Sequence, residues 1–162
     1  LKEKLNKTLL VVCAHGDTLT NFRLDFLKSF QKYSYSIFTI APEISSSELE
    51  KLNKNNISFI KLSFQRKGSN PIEIIKSCFN LYKKTKEIKP DIIFSYNHKA
   101  VVIASVAGYF ANVKNIYCMI TGRGHIFDDN KFIHLLRRFL AVIVLKFSLA
   151  QNRKVFFKIK MM

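Results

Sequence analysis

Four short stretches hold most of the residues whose types and spacing suit chemistry: AHGDTLTNFR at 14–23, QRKGSNP at 65–71, SYNHK at 95–99 and TGRGH at 121–125. In the first, Gly16 beside Asp17 marks a sharp turn, where a backbone without Cβ admits a ligand and a following helix N-terminus holds an anion. In the second, Arg66 and Lys67 stand just before Gly68, and Asn70 and Pro71 open a helix. Two cations, a flexible backbone and a helix start together make a compact anion cradle. In the third, His98 and Lys99 stand at a strand-to-helix turn, a position used for catalytic or phosphate-binding groups. In the fourth, Gly122 and Gly124 match the first half of a GxGxxG pattern, but Phe127 stands in the third glycine's place. A dinucleotide fingerprint is therefore poorly supported, whereas a glycine-rich loop with Thr121, Arg123 and His125 suits a phosphate or a sugar. Asp128 and Asp129 can cap the next helix or do chemistry. Each stretch also has a plain reading, as a βα turn, a solvated basic turn or a helix cap.

The elements that must position these loops can be read from periodicity. Apolar, β-branched runs at 8–13 (TLLVVC), 35–40 (YSIFTI), 57–62 (ISFIKL), 91–95 (DIIFS) and 115–120 (NIYCMI) predict strands, and VFF at 155–157 a sixth. Helical periods lie between them. One opens near Asn21 and places Phe22, Phe26, Leu27 and Phe30 on one face; another starts at Pro71 and does the same for Ile74, Ile75, Cys78, Phe79 and Tyr82. SSSELEKL at 45–52 has a capping-box start at Ser45 or Ser46. Pro90 ends a helix before the fourth strand. Alternating β and α predict a Rossmann-like, doubly wound parallel sheet covered on both faces, a single domain over 1–157. Ligands of such sheets bind outside the carboxyl ends of the strands, where all four stretches fall.

Composition narrows the partners. The chain has 162 residues, 48% hydrophobic, with a net charge of +16 from 27 basic and 11 acidic residues. That suits one globular domain and draws phosphates, nucleic acid or an anionic membrane face, although abundant Lys, Asn, Ile and Phe also fit an A/T-biased coding sequence and a solvated lysine face. Nucleic acid is not favoured, since no RNP, KH or zinc-finger pattern is present. Cys13, Cys78 and Cys118 show no metal or disulfide spacing and read as buried thiols in a reducing compartment. The opening LKEKLNKT lacks the apolar core of a signal peptide, which predicts a cytoplasmic protein. FLAVIVLKFSLA at 139–150 is broken by Lys146 and falls short of the ~18 uncharged residues of a spanning helix. The helix FIHLLRRFLAVIVLKFSLA that contains it, with Arg137, Arg138 and Lys146, is core with snorkelling cations or lies against anionic lipid.

Together, HGD with NFRL, QRKGSNP, KPDIIFSYNHK, NIYCMITGRGHIF and the basic-apolar helix running into KVFF resemble the N-terminal domain of the family 4 glycosyltransferases. The likeness is to the bacterial branch that extends sugars on undecaprenyl diphosphate. The resemblance implies one half of a GT-B fold, binding a lipid-linked or cell-surface glycan acceptor at an anionic membrane surface, peripheral to the inner face of the plasma membrane. A C-terminal domain would hold the nucleotide-sugar as co-substrate, and the reaction would retain anomeric configuration with no metal and no cofactor. It further implies Gly16 and Asp17 near the donor diphosphate, Arg66, Lys67, Asn70 and Lys99 on the acceptor or its phosphates, and His98 as the catalytic residue. Thr121, Gly122, Arg123, Gly124 and His125 would form a cleft loop. Many members carry a His directly after the fifth strand, where this chain has Thr121 and Gly122.

Two rival readings belong beside this one. His15 and Asp17 in AHGD resemble the AHPDD stretch of zinc-dependent sugar deacetylases, without its Pro, its second acid or a later paired-His motif. Alternatively, the chain is a non-catalytic acceptor- and membrane-binding subunit partnered by a separate donor-domain chain. The terminal VFFKIKMM follows from a family-like Val-Phe-Phe-Gln-Asn-Lys-Asp-Asp by loss of one T from a T-tract, so residues 158–162 are expected to be an out-of-frame tail of a truncated transferase that is inactive alone.

Overall fold

In the computed structural model, residues 7–64, 71–121, 150 and 154–158 are described. They form the order β1 (Lys7–Cys13), α1 (Asp17–Lys32), β2 (Tyr35–Ala41), α2 (Ser46–Lys54), β3 (Ser58–Lys61), α3 (Pro71–Ile88), β4 (Ile92–Tyr96), α4 (His98–Phe110), β5 (Asn115–Thr121) and β6 (Lys154–Lys158). The six strands make one sheet in the order β3-β2-β1-β4-β5-β6, and every neighbouring pair is parallel. The doubly wound Rossmann-like class is thus the observed one. Lys158, assigned by the sequence reading to the tail, extends β6 opposite Thr121. The apolar-basic segment at 132–149, the cradle at 65–70 and the loop at 122–130 lie outside the described residues.

The uninterrupted apolar runs have a direct explanation. Successive side chains of a strand point to opposite faces, so a strand buried on both faces must be apolar throughout. Leu10 and Val12 enter one core with Ile40, Leu81, Ile93, Ile103 and Ile116, under α3 and α4. Leu9, Val11 and Cys13 enter the other with Leu19, Leu27, Ile37, Leu52 and Phe94, under α1 and α2. Helix α4 sits deepest: Ala100, Val101, Ile103, Ala104, Ser105, Ala107 and Gly108 are all buried. A Cβ on Gly108 would come within 2.8 Å of Ile93 Cδ1 and 2.9 Å of Ile116 Cδ1, so the glycine lets α4 lie close on β4 and β5.

Several helix details differ from the sequence expectations. Helix α1 opens at Asp17, not near Asn21. Its first turn is polar, and the Thr18 and Thr20 hydroxyls donate back to the His15 and Asp17 carbonyls. Phe22 is 70% exposed, because Arg23 takes the inward position beside Leu19 and Leu27. In α3, Ile75 and Phe79 also face outward. The inward line is Ser77, Leu81 and Thr85, whose two hydroxyls donate to the Glu73 and Leu81 carbonyls four residues back. Ser45 is the N-cap residue of α2 but makes no side-chain capping bond. Glu48, in the first turn of α2, accepts from the Thr20 hydroxyl and pairs with Lys51 at 2.6 Å.

Candidate active site

The strand order reverses between β1 and β4, the two central strands from which the chain winds outward in opposite directions. In open α/β sheets the ligand crevice lies at such a switch point, outside the carboxyl ends of the strands. Cys13 lies opposite Tyr96 in the ladder, and Tyr96 lies opposite Met119. Hence the loop carrying Gly16 and Asp17, the turn carrying His98 and Lys99, and the end of β5 at Thr121 follow one another along a single edge of the sheet. Arg66, Lys67, Asn70, Gly122, Arg123, Gly124 and His125 are outside the described residues.

Gly16 is buried between two loops. Its N–H donates to the Glu43 carbonyl at 3.1 Å, and a Cβ there would meet that oxygen at 2.3 Å and Ile44 Cβ at 2.8 Å. The absence of a side chain at this position serves contact between the loops after β1 and β2. Asp17 adds to the same joint, its Oδ1 accepting from the Ser45 N–H at 3.0 Å. Among the described residues no group of three or more His, Cys, Asp or Glu side chains is placed to hold a metal ion.

On the other side of the crevice, Asn97 precedes α4 with φ 71° and ψ 134°, a conformation costly for any residue with a side chain. Its carboxamide oxygen accepts from the Ala14 N–H at 3.2 Å, tying the turn after β4 to the loop after β1. Turned that way, the side chain makes no capping bond to α4. The N-termini of α1 and α4 therefore both open at the crevice, and each favours a negative group there. His98 and Lys99 occupy the first two positions of α4 and are half-buried. Partial burial lowers the Lys99 pKa by penalising its charged form.

Beneath these loops lies a polar cluster that the sequence reading did not assign to the site. The Tyr96 and Thr18 hydroxyls are 2.9 Å apart. The Cys13 thiol donates to the His15 carbonyl at 3.4 Å, and burial keeps that thiol protonated well above the ordinary thiol range. Arg23 lies with its guanidinium carbon 5.3 Å from the Tyr96 ring centre and Nη2 3.2 Å from Met119 Sδ. Its Nε is buried without a hydrogen-bond partner, and no carboxylate among the described residues pairs with it. Arg23 thus fixes a positive charge near the carboxyl ends of β4 and β5. The available signal was a cation in line with Leu19, Phe26, Leu27 and Phe30 on an otherwise apolar helical face.

A parallel sheet in this order, with two helix N-termini and a buried cation near the switch point, defines a Rossmann-like domain. The glycosyl transferase 4-like family matches residues 9–158, and the chain belongs to that family. It is 26% identical over 133 residues to the N,N'-diacetylbacillosaminyl-diphospho-undecaprenol alpha-1,3-N-acetylgalactosaminyltransferase of Campylobacter jejuni, an alignment covering 82% of this chain and 35% of that protein. The chain thus spans about a third of that relative's length. Among solved structures, a glycosyltransferase from Rickettsia africae superposes with a TM-score of 0.58 at 14% identity, covering 94% of this chain and 42% of that one. MurG from Acinetobacter baumannii gives 0.55 at 18% identity, over 70% and 34%. A UDP-GlcNAc 2-epimerase from Methanocaldococcus jannaschii gives 0.54 at 10% identity, over 95% and 40%. Those three likenesses concern the fold, which transferases and an epimerase share; membership of the family is what points to glycosyl transfer.

Proposed function

We propose that this chain is the acceptor-binding half of a retaining glycosyltransferase that moves a sugar from a nucleotide-sugar to a lipid-linked or cell-surface glycan. The observation that carries the reading is the match, over 82% of the chain, to a transferase whose name specifies a sugar on diphospho-undecaprenol. In the reaction, the bond between the donor's anomeric carbon and its diphosphate breaks. The acceptor hydroxyl oxygen bonds to that carbon on the same face, its proton leaves, and a nucleoside diphosphate departs. His98, at the mouth of the crevice, acts on the reacting groups, and Lys99 holds acceptor phosphate. Gly16 and Asp17 lie toward the donor diphosphate. Arg66, Lys67 and Asn70 bind the acceptor diphosphate, and Thr121, Gly122, Arg123, Gly124 and His125 line the cleft. Arg23 adds its charge from below.

Donor binding falls to a second Rossmann-like domain, on the same polypeptide or on a separate chain. The 35% share of the Campylobacter relative's length supports that division, and it equally supports a non-catalytic acceptor-binding subunit of a two-chain enzyme. Among the described residues no helix is long and apolar enough to cross a membrane. Peripheral attachment at the inner face of the plasma membrane is part of this proposal. A transfer assay tests the reading: the 162-residue chain alone, and the chain fused to the remaining part of the Campylobacter relative. Transfer to an undecaprenyl-diphosphate sugar is expected only from the fusion, with His98→Ala lowering kcat about 100-fold, the usual scale for a lost acid-base group. Transfer by the chain alone contradicts the division of labour.

A further inference from the structure

The end of the domain away from the crevice, where the parallel strands begin, carries a patch that neither the core nor the proposed reaction uses. The three adjacent strands β1, β4 and β5 are entered through exposed lysines: Lys7 opens β1, Lys89 stands in the turn before β4, and Lys114 directly precedes β5. Leu9 is paired with Ile92 and Ile92 with Asn115, and strands lie about 4.8 Å apart, so the three side chains leave the backbone within about 10 to 15 Å of one another. Among the described residues no ion pair involves any of them, and the one carboxylate in these turns, Asp91, accepts from the Thr8 N–H at 2.7 Å. Beside them, at the carboxyl end of α4, Tyr109 is 49% and Phe110 62% exposed, their ring centres 5.4 Å apart and the rings at 74°. Lys89 also holds φ at 50°, the left-handed region where Gly or Asn costs less; the matching turns after α2 and α4 place Asn56 and Asn112 there. A lysine at such a position, inside a cluster of like charge, is a cost to the fold, and strain of that kind gathers at functional surfaces. The negative carboxyl ends of α3 and α4 offset part of the repulsion but account for neither exposed ring.

We propose that this end docks a partner protein through an acidic segment, whose carboxylates meet Lys7, Lys89 and Lys114 and whose apolar side chains pack on Tyr109 and Phe110. Exposed aromatics beside a charged rim are the usual build of a protein contact, and opposite charge fixes its register. Two features select a protein over a nucleic acid. Among the described residues the patch has no arginine for bidentate phosphate recognition, and rings set at 74° do not offer the parallel faces on which successive bases stack. A second copy would bring the same cations, and a net charge of +16 opposes self-association. The seven residues of β1 set the patch about 20 Å from the crevice, so partner and ligand can be held at the same time. The inference goes beyond the acceptor reading and does not depend on it.

The chain has no tryptophan, so Phe110→Trp reports on this end alone, and Phe22→Trp, at a site 70% exposed on the first half of α1, is the control toward the opposite end. The probe is a synthetic peptide of glutamate and leucine, with oligothymidylate and phosphatidylglycerol vesicles as competing anions. Expected are a saturable emission change at residue 110, none at residue 22, and a preference for the peptide over either competitor and over an all-glutamate peptide. Lys7→Gln, Lys89→Gln and Lys114→Gln together should weaken peptide binding about tenfold or more. Lys89→Gly separates binding from folding: it should not lower the melting temperature, because glycine accepts the φ of 50°, yet it should weaken binding about two- to threefold. Equal responses at residues 22 and 110 show attraction to net charge alone and overturn the proposal. Tighter binding of oligothymidylate or vesicles at residue 110, no response there to the peptide, or a dimer dissolved by Phe110→Ser overturns it as well, each pointing to another occupant or to none. Peptide binding that survives the three lysine changes, or that an all-glutamate peptide matches, also overturns it.

Discussion

At the scale of single residues, the loops at the switch point are tied to one another by groups with structural duties. Asn97 combines a φ of 71° with a carboxamide bond to Ala14, which separates two effects by substitution. Asn97→Ala loses the half-buried bond and keeps the strained backbone, a loss of about 1 to 2 kcal/mol by denaturant titration. Asn97→Gly loses the same bond but regains about 1 kcal/mol from an unstrained positive φ, and should lie nearer the parent. Equal losses would mean that the backbone angle carries no strain. Gly16→Ala drives a Cβ to 2.3 Å from the Glu43 carbonyl and should cost about 1 to 3 kcal/mol, as over-packing does. An unchanged melting temperature would show that the two loops separate freely. The placement of Gly16 and His98 at strand-to-helix turns was legible in the sequence, because glycine and histidine just after an apolar run stand out. Arg23 and Asn97 were not: one hides in a helical period, and the other owes its importance to a backbone angle and a partner 83 residues away.

At the scale of elements, the strands were legible to within a residue or two, because a strand buried on both faces leaves an uninterrupted apolar run that little else imitates. Helix phase was harder. In α3 the inward line includes Ser77 and Thr85, whose hydroxyls are satisfied by their own helix, while Ile75 and Phe79 point out. Counting apolar residues therefore selected a mixture of two faces. Cys78 and Tyr82 do pack on the core, so that face was half correct. Burial of the thiols gives this scale its own test. The Cys78 and Cys118 thiols are pushed from 9.0 to about 11, so the folded state keeps protons that the unfolded chain releases between those values. Their contribution is complete below pH 9 and is lost as pH rises toward 11. Stability measured across that window should fall with pH, and Cys78→Ala or Cys118→Ala should flatten the fall; an unaltered slope in both variants would contradict it.

At the scale of the whole molecule, the sheet order brings the loops after β1, β4 and β5 to one edge, and two helix N-termini with Arg23 make that edge attractive to anions. The fold alone leaves the chemistry open, since a transferase and an epimerase superpose on it almost equally well; family membership over residues 9–158 is what points toward glycosyl transfer. The division of labour proposed for the two domains is the central claim, and ligand preference tests it most directly. Binding of the 162-residue chain should be measured with nanodiscs that carry an undecaprenyl-diphosphate sugar, with matched nanodiscs lacking it, and with free nucleotide-sugars. The account predicts roughly tenfold tighter binding when the lipid-linked sugar is present, equivalent to about 1.4 kcal/mol, and no saturable binding of the nucleotide-sugars. Indifference to the lipid-linked sugar together with tight nucleotide-sugar binding would contradict it.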